Sequence, residues 1–243
     1  MPLNSKRILV IIPLLVIAVL IGVIYVDSLE RSEANDVESV EPEQHHSPGR
    51  SDAEEPDTED MERILHIEKQ LEEIDNEHLA IAFYGELIQI YIENDRLDGA
   101  AEAAGRMAGL TGEFEDWKNA GDWYHQWVLR ESDPELIHYH SHNAVEMYEA
   151  ALAVDSTNAR VRTDVAVEYM RLGESGPAIR HLETVLSGNP DNFEANYNLG
   201  VILHQTGSKD KSISYLKRSL ELAGGTENEE KVQSFLQQIE INI

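Results

Sequence analysis

Cysteine is absent from the 243-residue chain, which excludes a disulfide scaffold, a thiolate metal site and a cysteine nucleophile. Basic residues are scarce: 19 Lys and Arg stand against 46 Asp and Glu, a formal net charge of −27. That balance repels a phosphate backbone instead of releasing its counterions, so nucleic acid is excluded as a partner. Catalytic signatures are missing too. There is no phosphate-cradling glycine loop after a strand, no G-x-S-x-G and no H-E-x-x-H. The many carboxylates lie on polar helix faces, where solubility demands them, and no convergent pair can be named. The sequence therefore predicts no enzyme and no cofactor.

What is present is unevenly placed. The run 8–26, opening on Ile8 and closing on Val26, holds nineteen residues without a charge. At about 1.5 Å per residue it reaches across a hydrocarbon core of about 30 Å, which predicts one transmembrane helix. Lys6 and Arg7 precede it and Asp27 and Glu30 follow it. This asymmetry predicts a cytoplasmic amino terminus (residues 1–7) and an extracytoplasmic remainder, periplasmic if the cell is bacterial. The run exceeds a usual signal-peptide core, and no A-x-A follows it, so retention is expected over cleavage. Residues 27–62 carry fourteen acids, two arginines, three prolines and no aromatic. Such a segment cannot bury enough surface to offset chain entropy, so 27–60 is expected to be a disordered, self-repelling acidic linker.

Beyond residue 60 the apolar residues follow helical spacing, and no run keeps a two-residue alternation. They also repeat. Ala144, Ala178 and Ser212 stand 34 apart, as do Tyr148, Leu182 and Leu216, and likewise Ala151, Val185 and Ser219. Within the first helix of each unit, Trp117, Ala120, Gly121 and Tyr124 share a pattern with Val165, Ala166 and Tyr169, and with Leu199, Gly200 and Leu203. A weaker copy has Tyr84, Leu87, Ile88 and Tyr91, followed by Ala100, Ala104 and Met107. In period and pattern the chain resembles the tetratricopeptide repeat (TPR) family from about residue 81 to 223.

The resemblance implies an all-α fold, a right-handed α-solenoid of TPR helical hairpins, placed after the membrane helix and the linker. Four repeats are expected over 77–225. Tyr124 and Tyr169 are 45 residues apart, eleven more than the period, so an insertion near 130–140 is expected as a loop between the helices of the second repeat. Met61, Ile64, Ile67, Leu71 and Ile74 form a narrow seam in a helix over 61–76, which either caps the first repeat or self-associates with another copy. Thr226 and Glu229 have the spacing of a capping box before a terminal helix over 226–243, with Val232, Phe235, Leu236 and Ile239 on one stripe.

The family register also implies a partner-binding groove lined by the first helices: Lys118, Asp122, His125, Thr163, Val167, Met170, Arg171, Tyr197, Val201, His204 and Gln205. Lys118, Asn119, Arg171 and Asn198 hint at the clamp by which some members hold an acidic peptide terminus. Asp122 stands where that clamp wants an amide, which disfavours a chaperone-tail receptor. His138, His140 and His142 would share one side of an extended segment and so form a candidate metal set; in a helix His142 would instead sit one turn from both His138 and Glu146, and capping and surface roles are the commoner use of such histidines. The resulting expectation is a membrane-anchored TPR scaffold or adaptor. Its partner would be another protein or a membrane complex subunit, which it serves as an assembly factor or accessory subunit. The rival is a metal- or haem-handling protein that uses the histidine cluster.

Overall fold

A computed structural model describes residues 58–241. The expected transmembrane run 8–26 and nearly all of the acidic linker lie outside these residues. Among the described residues no helix is long and apolar enough to cross a membrane.

Among the described residues ten helices follow one another: α1 (Thr58–Glu73), α2 (Glu77–Glu93), α3 (Leu97–Thr111), α4 (Phe114–Arg130), α5 (Pro134–Val154), α6 (Ala159–Arg171), α7 (Ser175–Gly188), α8 (Phe193–Gln205), α9 (Lys209–Ala223) and α10 (Asn228–Ile241). No strand occurs among the described residues. Each helix packs on the next, and α6 also reaches α8, the first helix of the following hairpin. This is the stepwise stacking of a TPR-like solenoid. Four hairpins, α2–α3, α4–α5, α6–α7 and α8–α9, make its body.

Local chemistry repeats with the hairpins. Asn76, Asn158 and Asn192 cap α2, α6 and α8, their side chains accepting the backbone N–H of Leu79, Val161 and Ala195. The turn inside the hairpin repeats as well. The N–H groups of Arg96, Glu174 and Ser208 donate to the carbonyls of Tyr91, Tyr169 and Leu203, each at 2.8 Å. The residue before each donor, Asp95, Gly173 or Gly207, has positive φ (53°, 76° and 82°). Two of the three are glycine, the residue that adopts this conformation without a steric cost.

In the three later hairpins the crossing depends on a small residue in the first helix. A Cβ on Gly121 would stand 2.6 Å from the Tyr148 ring, and one on Gly200 would stand 2.6 Å from Leu216. Tyr148, Leu182 and Leu216 are almost wholly excluded from water. Burying a large apolar side chain of this kind contributes roughly 1.5–3 kcal/mol, and the missing side chain opposite is what lets it enter.

The second hairpin departs from the expected loop. Helix α4 runs six residues past Tyr124, whereas α6 runs two past Tyr169; α5 begins ten residues before Ala144, whereas α7 begins three before Ala178. The four and seven residues gained account for the eleven extra. The insertion is thus a taller hairpin whose connection is only residues 131–133. The cause lies in the residues themselves: Pro134 occupies the first turn of α5, and Asp133 accepts the Glu135 N–H at 2.8 Å.

Both ends are covered. Helix α1 starts at Thr58, with Glu59 and Asp60 in its first turn where the helix dipole favours acids. Ile64 and Ile67 are buried against Leu87, Ile90 and Tyr91. The apolar seam of α1 therefore lies on α2, as a cap would. At the other end Val232, Leu236 and Ile239 bury with Leu216. The capping box expected there does not form. Glu229 accepts the Gly225 N–H at 2.9 Å, but the Thr226 hydroxyl donates back to the Ala223 carbonyl at 2.6 Å instead of capping α10.

Candidate functional site

An open cleft of roughly 400 Å³ lies between α2, α3 and α4. Ile88, Ala104, Met107 and Trp123 give it an apolar floor, and Asp116, Asn119, Asp122 and Gln126 give it a polar rim. Its origin is local. In the later hairpins the second helix presents Tyr148, Leu182 or Leu216 to the crossing, but α3 presents Ala104. Ile88, which stands where later hairpins have Gly121, Ala166 and Gly200, packs beside the small Ala104–Ala108–Ala120 cluster. The sizes are reversed, and space remains on one side.

Around Asp122 the polar groups form a chain. Lys118 Nζ lies 3.3 Å from Asp122 and 3.5 Å from Glu115, and donates to Asn119 at 2.9 Å. The Tyr148 hydroxyl donates to the other Asp122 oxygen at 2.9 Å. Burial and the neighbouring Asp122 charge push that phenol well above its ordinary value, so it remains a donor. Across the next junction His125 Nδ1 lies 2.5 Å from Glu168 Oε1 on α6, and Arg171 Nε is 3.5 Å from the same oxygen. Glu168 is fully buried, and its Oε2 has no partner. The Asp164 carboxyl is pushed up by burial and by Asp122, against the opposing pull of Arg160.

The residues expected in the groove divide accordingly. Lys118, Asp122, His125 and Arg171 belong to the polar chain just described. Thr163 is buried, its hydroxyl donating to the Ala159 carbonyl at 3.0 Å, and is not part of an open lining. Met170 packs on the core between α6 and α8, while Val167 and Val201 are half-buried and Gln205 is exposed. Tyr197 and His204 meet the chain's own α10: Lys231 lies over the Tyr197 ring at 4.5 Å, and Phe235 meets His204 edge-on at 5.8 Å. The terminal cap thus takes up that end of the expected surface. Ile88, Met107, Asp116, Trp123 and Gln126, which sequence reasoning did not place in the site, line the cleft at the other end. The one signal for them was Ala104 at a position that is otherwise bulky.

The histidines do not converge. On helix α5, residues two apart point to nearly opposite sides, so His140 turns inward while His138 and His142 face solvent. His142 pairs with Glu146 at 3.4 Å. His140 stacks on Trp127 with ring centroids 3.5 Å apart, and neither of its nitrogens has a partner. Burial lowers its pKa, which keeps the imidazole neutral. Among the described residues no three potential ligands are grouped to hold a metal ion, so the expected three-imidazole set is corrected by the helix.

A family model described as "Tetratricopeptide repeat" matches residues 163–225. No curated protein matches the chain in sequence. Among solved structures, the MamA 41-end chain from Desulfovibrio magneticus RS-1 is similar at 15% identity with a TM-score of 0.54, over 67% of this chain and 85% of that one. A thermophilic TPR protein of Thermus thermophilus is similar at 16% identity with a TM-score of 0.50, over 73% and 89%. At these identities the likeness concerns fold. The tetratricopeptide repeat family is thus supported over residues 163–225, the similar structures share the fold, and such repeats typically serve as protein-binding scaffolds.

Proposed function

We propose that the protein is a membrane-anchored scaffold that holds another protein, as an assembly factor or accessory subunit of a membrane or extracytoplasmic complex. Residues 8–26 serve as the anchor, with the amino terminus cytoplasmic, and the acidic segment behind them serves as a tether. The repeats work outside the cytoplasm, in the periplasm if the cell is bacterial. Binding alone is the mechanism. The cleft supplies complementary surface, and the anchor raises the effective concentration of that surface near partners in the same membrane. The observation that carries the reading is the open, apolar-floored cleft on a fold whose two ends are capped.

Site-specific photo-crosslinking in intact cells tests it. A photoreactive residue replacing Asn119 on the cleft rim should capture one protein, identified by mass spectrometry, and the same group replacing Glu230 on the terminal cap should not. Capture should weaken when residues 8–26 are removed. Equal labelling of many proteins from both positions would end the scaffold reading.

A further inference from the structure

The cleft has a chemistry that narrows what it can hold. Its floor is apolar, with Trp123 as a large rigid contact and Met107 as an adaptable one. Its rim carries the carboxylates of Asp116 and Asp122, and no lysine or arginine lines it. The nearest cation described, Lys118, is already shared between Glu115 and Asp122. Asp116 has no ion-pair or hydrogen-bond partner among the described residues. An acidic terminus is therefore repelled here, which reverses the charge preference of a carboxylate clamp. The chain's own acidic segment, with fourteen acids and two arginines over 27–62, has the wrong sign to fold back into the cleft. A second copy, at a net charge of −27, is also a poor occupant. A volume of roughly 400 Å³ falls in the lower part of the range of ligand pockets, about 300–1,000 Å³, which suits a short segment better than a whole helix face.

From this we infer that the cleft takes a partner segment carrying a basic side chain beside an apolar one, with the apolar group on Trp123 and Met107 and the cation between Asp116 and Asp122. The inference rests on the scaffold reading and names the partner's chemistry. Specificity comes from the combination, since a purely acidic or purely polar segment leaves either the rim or the floor unmatched.

The test uses the full chain in nanodiscs of neutral lipid and three fluorescein-labelled peptides of equal length, built from repeats of Leu-Lys-Ser, Leu-Glu-Ser and Ser-Lys-Ser. Fluorescence anisotropy should show the Leu-Lys-Ser peptide binding at least tenfold more tightly than either of the others. Asp116→Asn alone should weaken it severalfold, and Asp116→Asn with Asp122→Asn should do so further. Met107→Ala, which removes an apolar contact of the half-buried floor, should weaken binding severalfold. Glu229→Gln with Glu230→Gln, on the far cap, should change nothing. The inference is overturned if the Ser-Lys-Ser peptide binds as well as Leu-Lys-Ser, which would mean general charge attraction. It is also overturned if the cap variant weakens binding as much as the rim variants do, or if Asp116→Asn has no effect. The two readings fail separately. Specific capture at Asn119 without peptide preference removes only the partner chemistry, whereas peptide preference without cellular capture removes only the scaffold role.

Discussion

The first hairpin and the three behind it solve one packing problem in opposite ways. In α4–α5, α6–α7 and α8–α9 the first helix is small at the crossing (Gly121, Ala166, Gly200) and the second is large (Tyr148, Leu182, Leu216). In α2–α3 the first helix supplies Ile88 and the second Ala104. Both arrangements bring two helices together, yet the reversed one leaves a cleft. Behind it the same side of the solenoid is closed by polar pairs, with Tyr148 donating to Asp122 and His125 reaching Glu168. A repeat fold can thus open a site by exchanging the sizes of two side chains, with no new loop.

The most severe way to break this contrast is to unseal the closed half. Glu168 is fully buried with one oxygen on His125 and the other unpartnered. His125→Ala leaves that carboxylate with Arg171 alone at 3.5 Å, and should lower the unfolding free energy by about 1–3 kcal/mol, as depriving a buried polar group of its hydrogen-bond partner does. Urea titration at pH 7 measures it. Replacing His125 and Glu168 together by leucine should recover most of the loss. A loss below about 1 kcal/mol would mean that solvent screens the pair as it does at a surface.

The crossing itself can be tested with one substitution at two sites. Gly121→Ala places a methyl group 2.6 Å from the Tyr148 ring, so the ring must shift, at a cost of about 2 kcal/mol. Gly85→Ala in α2 meets nothing within 4 Å and should stabilise by roughly 0.5–1 kcal/mol, because alanine loses less backbone entropy in a helix. Thermal and urea midpoints should therefore move in opposite directions. Two losses of equal size would show that Gly85 is as tightly surrounded as Gly121.

The periodic part of this architecture was legible because it is written in pairs that must fit: 34-residue steps of small and large residues, and the pattern around Tyr84, Trp117, Val165 and Leu199. The eleven extra residues form added helical turns where a loop was expected. Asp133-Pro134-Glu135 is a helix start, and a length excess alone does not separate a loop from extra turns. The three-histidine set needed the alternation of an extended chain, whereas the backbone there has helical pitch and places His142 beside Glu146, the other arrangement the spacing allowed. Tyr197 and His204 were expected in a groove because their own helix allows it; a helix more than twenty residues later, α10, decides otherwise. The cleft escaped notice because it is made by a side chain that is missing at Ala104, and an absence has meaning only once its neighbours are in place.

The taller second hairpin carries a feature the first lacks, and it sharpens the comparison through pH. His140 is buried on Trp127 with neither nitrogen bonded, and burial holds its pKa below the ordinary 6.5. Below about pH 6.5 the unfolded chain therefore binds the proton more readily than the folded one, and stability falls as the solution is acidified. His140→Phe keeps the stack on Trp127 and removes the titrating group. Urea titrations between pH 7.5 and 5.5 should show a shallower loss for the variant, by at most about 1.4 kcal/mol per pH unit for one proton. Burial also lowers the pKa of His181, against the pull of Glu149 at 3.0 Å, so some acid sensitivity should remain. Glu131 and Asp98 are the charges that favour protonation of His140. Identical slopes in the two proteins would mean that those carboxylates compensate the proton fully, and that the second hairpin is no more acid-sensitive than the first.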